Sequence, residues 1–193
     1  MLDANPLAGL ADLAREDEAA PFRCWSWLQD ARSRGGERGD DALSARWDAG
    51  HGLFAVADGV GSAHGASDAA KRTLECLAQV PLAGADRALR AAIVDAIEDA
   101  HSSLMREPGI GVTTLVVASI VDDQVRLFHC GDSGAAIISK EGEVLHHSVG
   151  HGPAQYAVAA GELEPTEILE HEEHHIVDHV VGCDPLVLAS AGP

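Results

Sequence analysis

The sequence predicts an α+β fold built on antiparallel strands, and the order of its segments is the main reason. A short apolar, strand-like segment ends abruptly at Asp58, and two helical patterns follow it. After the helices come several strand-like segments, which are predicted to form consecutive hairpins. One strand, two helices and then a run of hairpins is typical of a layered antiparallel fold, because a parallel sheet would need a crossover between successive strands.

Two helices are predicted between Asp58 and the middle of the chain. The first pattern runs from about Ser67 to about Val80 and is stopped by Pro81, which cannot continue a helix. The second runs from about Asp86 to about Met105, with apolar residues near helical spacing. Before the first strand, residues 32–41 alternate in charge and contain glycines, so they are predicted to form a loop.

Strands dominate the second half of the prediction. A β-rich run is followed by a turn-like pair of aspartates, and the next segment alternates as a half-buried strand should. A hairpin follows, residues 152–180 look helical or irregular, and the end of the chain is again strand-like. The predicted strands are Val112–Val121, Val125–Cys130, Ala135–Ser139, Val144–Ser148 and Leu186–Ser190.

Length and charge limit the domain count and the partners. The 193 residues, 46% of them hydrophobic, are enough for one sizeable core. We expect residues 1–20 to form a tail or a helix and residues 21–193 to form a single domain. The formal net charge of -18 repels phosphate backbones and anionic lipid, so we expect no nucleic-acid or membrane partner. The same acidity suits divalent cations.

Other patterns exclude several kinds of chemistry. The N-terminus lacks a signal-peptide pattern, and no apolar run approaches the ~20 residues that span a bilayer, so we expect a cytoplasmic protein. The four cysteines form no C-x-x-C pair, which argues against a zinc ribbon and a redox motif. No cysteine has an arginine six positions later, as a cysteine phosphatase requires, and no G-x-S-x-G motif is present.

The strongest candidate site is Asp58, which is followed by Gly59 and Gly61. A carboxylate fixed at the end of a buried strand can hold a cation, and a neighbouring glycine lets a backbone carbonyl approach as well. Two other interpretations are open. The residues could form an ordinary Asp-Gly turn. They could also form a nucleotide-binding loop, although glycines at 59, 61 and 65 miss the G-x-G-x-x-G spacing by one residue.

Two further acidic segments could join Asp58. Asp40 and Asp41 are adjacent, so on an extended backbone only one of them would face a given cation. Alone they are more simply a solvated loop, but beside Asp58 they add the oxygen ligands that Mg²⁺ or Mn²⁺ prefers. Asp132, within Gly131–Gly134, is either another carboxylate at a strand end or part of a hairpin corner.

A different pattern predicts zinc. The segment His171–His175, H-E-E-H-H, matches the H-E-x-x-H of zinc proteases, in which two histidines one helical turn apart bind the metal. The chain contains 11 histidines, so a chance match is easy. The acidic residues around the segment favour a solvated surface instead.

Several motifs together resemble those of the metal-dependent Ser/Thr protein phosphatases of the type 2C class, in its bacterial form. The order and approximate spacing hold from residue 39 to about residue 165. Ala57–Gly61 resembles the family's A-D-G-x-G, Gly65–Ala70 its G-x-x-A-S helix start, Gly39–Ala42 its N-E/Q-D-A, Gly111–Leu115 its G-T-T-L, and Cys130–Ser133 its G-D-S-R.

The resemblance implies a fold and a cofactor. The fold is a sandwich of two antiparallel β-sheets flanked by helices, with metals at one end of the cleft between the sheets. The cofactor is a pair of Mg²⁺ or Mn²⁺ ions, which Asp58 bridges and the Gly59 carbonyl contacts. Asp41 and Asp40 would act directly or through water. Asp132 matches the residue that in some members helps to hold a third, weaker ion.

The resemblance also implies an activity and partners. A metal-bridging water would hydrolyse phosphoserine and phosphothreonine on proteins without a phospho-enzyme, with Asp58 as the catalytic residue. The partners would then be phosphorylated protein substrates, together with a Ser/Thr kinase or its targets.

The chain departs from the family pattern in several places, among them Gly39 in place of the motif's Asn and Gly134 in place of the Arg of G-D-S-R. The family's phosphate-binding arginine falls on Gly36 here, and Arg34 and Arg38 flank it as candidate phosphate-binding residues. The family's later S-D-G and D-N segments have no clear counterpart, because Ala191 either replaces the S-D-G aspartate or the chain ends before it. The sequence thus predicts a C-terminally short domain. It leaves open a second function, a weak or inactive pseudophosphatase that binds a phosphoprotein or a regulator.

Overall fold

The computed structural model describes residues 40–48, 50–60 and 65–192. Its main feature is a β-sheet. A six-stranded antiparallel sheet has the order β1-β2-β4-β5-β8, with β3 paired to the end of β2, and β6 and β7 form a separate two-stranded sheet. The strands are β1 (Asp41–Trp47), β2 (His51–Val60), β3 (Val112–Thr113), β4 (Leu115–Val121), β5 (Gln124–Cys130), β6 (Ala136–Ile138), β7 (Val144–His147) and β8 (Ala189–Ala191).

The helices lie close to their predicted positions. They are α1 (Ala66–Ala78), α2 (Asp86–Arg106) and α3 (Pro153–Ala160), and a 3₁₀ helix covers Pro165–Glu170. The first two confirm the two helical patterns, and α3 begins with proline at a position where the missing N–H is harmless. None of the helices in the described ranges is long and apolar enough to cross a membrane.

The core lies between one face of the large sheet and the pair α1 and α2. Alternate residues of β2, Leu53, Ala55 and Ala57, are buried on this face, as the two-residue period of a strand requires. The helices meet them with apolar residues at helical spacing. The fully or nearly fully buried helix residues are Ala69, Ala70, Leu74, Leu77, Leu89, Ile93, Ile97, Ala100 and Leu104.

The predicted fold class of two antiparallel sheets with helices is confirmed, while some boundaries were wrong. The loop predicted through residue 41 ends earlier, because Asp41 already begins β1 and pairs with β2. The single strand predicted over Val112–Val121 is interrupted at Thr114, and β8 begins later than predicted. The tail or helix predicted at residues 1–20 lies outside the described residues, so the domain boundary at residue 21 stays a prediction.

The end of β2 touches the start of α1 through backbone atoms. An ideal Cβ placed on Gly59 would lie 2.2 Å from the Ala66 carbonyl oxygen, and one on Gly111 would lie 2.9 Å from the Ala66 nitrogen. Gly65, which precedes the helix, has φ +118°, a value that side chains disfavour. Glycine at these positions therefore lets strand and helix approach more closely than side chains would allow.

We predict that Gly59→Ala strongly destabilises the protein. The new methyl group would overlap a backbone carbonyl that cannot rotate away, so we expect a loss of about 3 kcal/mol in the free energy of unfolding. The control is Gly50→Ala, where the nearest atom to a Cβ is 3.9 Å away on Asp122. Urea unfolding measures both variants, and equal stability of the two would contradict the close contact.

Candidate metal centre

Asp58 lies directly opposite Asp41 in the antiparallel pair of β1 and β2. Opposite residues of such a pair share a face, with Cβ atoms about 4.5–5.5 Å apart. Because Ala57 and Gly59 are buried towards the helices, Asp58 between them points to the other face of the sheet. Both aspartates are exposed there. The pairing register thus brings two carboxyl groups together at one end of the large sheet.

The environment of Asp58 is unfavourable for its negative charge. Partial dehydration of the carboxyl group, its hydrogen bond to Asp41 and the charges of Asp41, Asp132 and Asp40 raise the pKa of Asp58 to about 6. The residue is nevertheless open to solvent on one side. Carboxylates that raise one another's pKa in this way are stabilised by a bound cation, which would remove the repulsion.

The backbone of Asp58 is fixed by hydrogen bonds from β3 and the residue that follows it. The Asp58 carbonyl oxygen accepts hydrogen bonds of 2.9 Å from the Thr114 N–H and from the Thr113 hydroxyl. The Asp58 N–H donates to the Thr114 hydroxyl over 3.2 Å. Both threonines are buried. With these backbone groups satisfied, Asp58 has little freedom except in its own side chain.

Asp40 and Gly59 are linked next to this pair. The Gly59 N–H donates to the Asp40 carbonyl oxygen over 3.1 Å, which holds the chain before β1 against the end of β2. Asp40 is exposed, and its charge acts on Asp58. Gly59 itself is buried by its contact with α1. Its carbonyl as a metal ligand therefore stays a prediction.

Asp132 reaches the site from the turn after β5. Gly131 has φ +98°, so the chain reverses sharply there. The Ser133 hydroxyl lies 2.6 Å from the Thr114 hydroxyl. On the other side, the Gly131 backbone N–H donates to ring Nδ1 of the buried His151. The backbone N–H of His151 donates to the Gly131 carbonyl oxygen. These bonds place Asp132 where its charge acts on Asp58.

The acidic residues fit divalent ions by their chemistry. Asp40, Asp41, Asp58 and Asp132 offer hard carboxylate oxygens, which Mg²⁺ and Mn²⁺ prefer. In the part of the chain that the structure describes, no group of three or more His, Cys, Asp or Glu side chains is already arranged around a metal-sized space.

The remaining predicted site residues have different outcomes. Arg34 and Arg38 lie outside the described residues, so phosphate binding by either stays a prediction. Asp58 lies within β2, which continues to Val60, so the interpretation as an Asp-Gly turn was wrong. Ala191, the possible counterpart of the S-D-G aspartate, pairs with Leu127 on β5 and not with the end of that strand.

The zinc-protease interpretation of His171–His175 was wrong. The segment forms turns after the 3₁₀ helix, so its histidines do not stack one helical turn apart. Nδ1 of His171 accepts a hydrogen bond from the Glu173 N–H. Nδ1 of His174 lies 2.8 Å from the His171 carbonyl oxygen. The ring nitrogens thus serve the local backbone.

Sequence reasoning missed the residues that support the carboxylates. The role of Thr114 is to satisfy the backbone of Asp58, and the role of His151 is to hold the turn at Gly131. Neither role produces a periodic pattern in the sequence, because Thr114 and His151 bond to residues that are far away along the chain. The segment Gly111–Leu115 that resembles G-T-T-L contains Thr114, but the motif does not indicate this role. In the structure both residues are buried: Thr114 is 1% exposed and His151 is 5% exposed. Burial also lowers the pKa of His151, as do His129 and His179 beside it, which suits a neutral ring whose Nδ1 accepts.

Comparison with known proteins gives a consistent result. Residues 29–192 match the family model described as protein phosphatase 2C. No curated protein sequence matches the chain. Among solved structures, the serine/threonine phosphatase Stp1 from Staphylococcus aureus gives a TM-score of 0.68 at 21% identity, over 80% of this chain and 66% of that one.

Two other solved structures are similar over a comparable share of the chain. The PPM Ser-Thr phosphatase MsPP from Mycobacterium smegmatis, in complex with cacodylate, gives a TM-score of 0.66 at 25% identity, over 82% of this chain and 67% of that one. The catalytic domain of the serine threonine protein phosphatase PstP, in complex with two manganese ions, gives a TM-score of 0.59 at 23% identity. The match covers 81% of this chain and 67% of that one. The chain therefore spans about two thirds of the length of these structures, and their folds agree with the one predicted from the motifs.

We predict that Asp58→Asn stabilises the metal-free protein. The folded-state pKa of about 6 lies above the ordinary value of 3.8, so the ionised carboxylate destabilises the fold above pH 6. This effect shrinks as the pH falls through 6 and vanishes below 3.8. Because the side chain is exposed, we expect a gain on the order of 1 kcal/mol at pH 7.5 after solvent screening.

Urea unfolding in EDTA measures this gain at pH 7.5 and at pH 4. Asp95→Asn, which removes an exposed carboxylate from α2, is the control for the change in net charge. We expect Asp58→Asn to exceed the control at pH 7.5 and to lose that advantage at pH 4. An Asp58→Asn variant less stable than the wild type in EDTA at pH 7.5 would show that the carboxylates do not repel one another.

Proposed function

The chain belongs to the protein phosphatase 2C family, and we propose that it hydrolyses phosphoserine and phosphothreonine on proteins with bound divalent metal ions. The observation that carries this proposal is the convergence of Asp41 on β1, Asp58 on β2 and Asp132 in the turn after β5 at one end of the large sheet. Because the chain belongs to this family, we interpret the acidic end of the sheet as the metal site of a phosphatase.

We propose that the site binds two divalent ions, either Mg²⁺ or Mn²⁺. The two manganese ions in the PstP structure, a similar fold, support this choice. When bound, such ions supply positive charge for the phosphoryl oxygens and an acidified water as the nucleophile. Asp58 and Asp41 would hold them, with Asp40 at the margin and the Gly59 carbonyl as a further ligand. Asp132 would contribute to a third, weaker ion.

The chain's own residues would do two things in the reaction. The Asp58 backbone, bonded to Thr113 and Thr114, fixes the point from which the carboxylate extends, which favours preorganised catalysis. An arginine from the segment before β1, Arg34 or Arg38, would bind the phosphoryl oxygens, since a guanidinium recognises such an anion through paired N–H donors.

The substrate class follows from the family. Phosphorylated proteins are the expected substrates, and a Ser/Thr kinase or its targets are the proposed partners. The net charge of -18 favours phosphopeptides with basic residues near the phosphate, because such residues lower the repulsion between substrate and enzyme.

We predict that the chain hydrolyses a phosphothreonine peptide only with Mn²⁺ or Mg²⁺ present. Asp58→Asn should lower the rate by roughly two orders of magnitude, because it removes a charged group at the centre of the site. Asp95→Asn is the matched control, since it makes the same chemical change on the exposed side of α2. Phosphate release with each metal, and in EDTA, measures the effect.

Two results would contradict the proposed activity. Turnover that persists in EDTA would exclude metal dependence. No turnover by a folded wild-type chain with either metal would instead favour the phosphoprotein-binding pseudophosphatase.

We predict that one of Arg34→Gln and Arg38→Gln raises the KM for the phosphopeptide by about tenfold or more, because a charge-assisted hydrogen bond contributes about 1.5–3 kcal/mol. The variant that does so identifies the phosphate-binding residue. Arg90→Gln, exposed on α2, is the control for the loss of a positive charge. Unchanged KM in both arginine variants would mean that the phosphate is bound without them.

A further inference from the structure

A pair of hydroxyl groups connects the end of β2, which carries Asp58, to the turn after β5, which carries Asp132. The Thr114 and Ser133 oxygens are 2.6 Å apart, a short hydrogen bond between residues 19 positions apart in sequence. Ser133 is the neighbour of Asp132, and Thr114 is bonded directly to the backbone of Asp58. One hydroxyl pair therefore spans the gap between two candidate ligand residues.

The Thr114 hydroxyl has a defined place in this connection. It accepts the Asp58 N–H over 3.2 Å and lies 3.4 Å from the Asp58 carbonyl oxygen. That carbonyl already accepts two bonds of 2.9 Å, from the Thr114 N–H and the Thr113 hydroxyl. The Thr113 hydroxyl has one proton and also lies 2.9 Å from the Thr114 carbonyl oxygen. The 2.6 Å contact with Ser133 is much shorter than the 3.4 Å contact with the Asp58 carbonyl, so the single Thr114 proton is best used towards Ser133. Asp58, Thr114 and Ser133 then form a continuous hydrogen-bonded chain.

The turn at Gly131 is packed against the same threonine. An ideal Cβ on Gly131 would lie 2.7 Å from the Thr114 Cβ, so the turn rests on this side chain. The opposite side of the turn is held by His151 through two hydrogen bonds to the Gly131 backbone. Because His151 supports the turn independently, loss of the Ser133 hydroxyl should shift Asp132 without unfolding the segment.

We propose that Thr114 and Ser133 are positioning residues that set the separation of the Asp58 and Asp132 carboxylates, and thereby the affinity of the site for a divalent ion. This inference rests on the proposed function, because it concerns the same acidic site. Hydrogen-bonded groups behind metal ligands generally act in this way, and their loss lowers metal affinity about 10- to 100-fold.

The test is Mn²⁺ binding to the metal-free protein, measured by electron paramagnetic resonance of free Mn²⁺, which does not depend on turnover. We expect Thr114→Val and Ser133→Ala each to weaken Mn²⁺ binding about tenfold, and the double variant to weaken it no further. Thr114→Ser, which keeps the hydroxyl, should bind like the wild type. Ser119→Ala is the control, since it removes another buried hydroxyl from β4, one that donates to the Arg126 carbonyl over 3.5 Å.

A second comparison separates positioning from general destabilisation. If Ser133 acts by placing Asp132, then Ser133→Ala should have no effect on Mn²⁺ affinity in an Asp132→Asn background. Equal weakening in that background would overturn the inference, and so would wild-type affinity in both Thr114→Val and Ser133→Ala.

The inference and the proposed function fail in different ways. A wild-type chain that binds no Mn²⁺ would overturn both. A wild type that binds Mn²⁺ and loses it on Asp58→Asn, while the hydroxyl variants bind normally, would overturn the inference alone. A Thr114→Val variant that does not fold is replaced by Ser133→Ala, whose turn His151 still supports.

Discussion

The backbone at Asp58 and Gly59 is the constraint on which the rest of the site depends. Three elements hold it: the chain before β1 through the Asp40 carbonyl, β3 and the residue after it through Thr113 and Thr114, and α1 through direct contact with Gly59. The strand cannot shift along its neighbours without breaking these contacts. The backbone that carries the Asp58 carboxylate is therefore fixed, and the other acidic residues are placed around it.

Fixing several acids in one place is destabilising for the metal-free chain. The raised pKa of Asp58 reflects this destabilisation, since dehydration and the nearby Asp41, Asp132 and Asp40 all disfavour its ionised form. Such a conflict is typical of sites in which function opposes stability. The helix pair and the large sheet provide the compensation, because their shared core is built from fully buried apolar residues such as Ile93 and Ile97. The tertiary structure thus holds the carboxylates together until a cation can neutralise them.

The position of the site at strand ends explains how distant segments meet. In the large sheet the end of β2 lies beside β3, and the turn after β5 lies beside the residue that joins β3 to β4. Asp58 and Asp132 are therefore brought together by sheet topology, although they are far apart in sequence. Thr114 and His151 are buried, Ser133 is half-buried, and their hydrogen bonds connect the end of β2 with the turn after β5. Sites supported by strands and by a layer of hydrogen bonds keep their geometry better than sites on free loops.

The sequence by itself determined the elements of this protein and the acids at its site. Local periodicity and the Pro81 stop signal were enough to place α1, α2 and most strands, because these features depend on neighbours in the chain. The order of short motifs identified the family and singled out Asp58. Only the tertiary structure decided how β1 pairs, where the strand breaks at Thr114, and that His171–His175 forms turns rather than a helix. It also revealed the hydroxyl pair behind the carboxylates, because contacts between residues distant in sequence leave no periodic pattern from which they could be predicted.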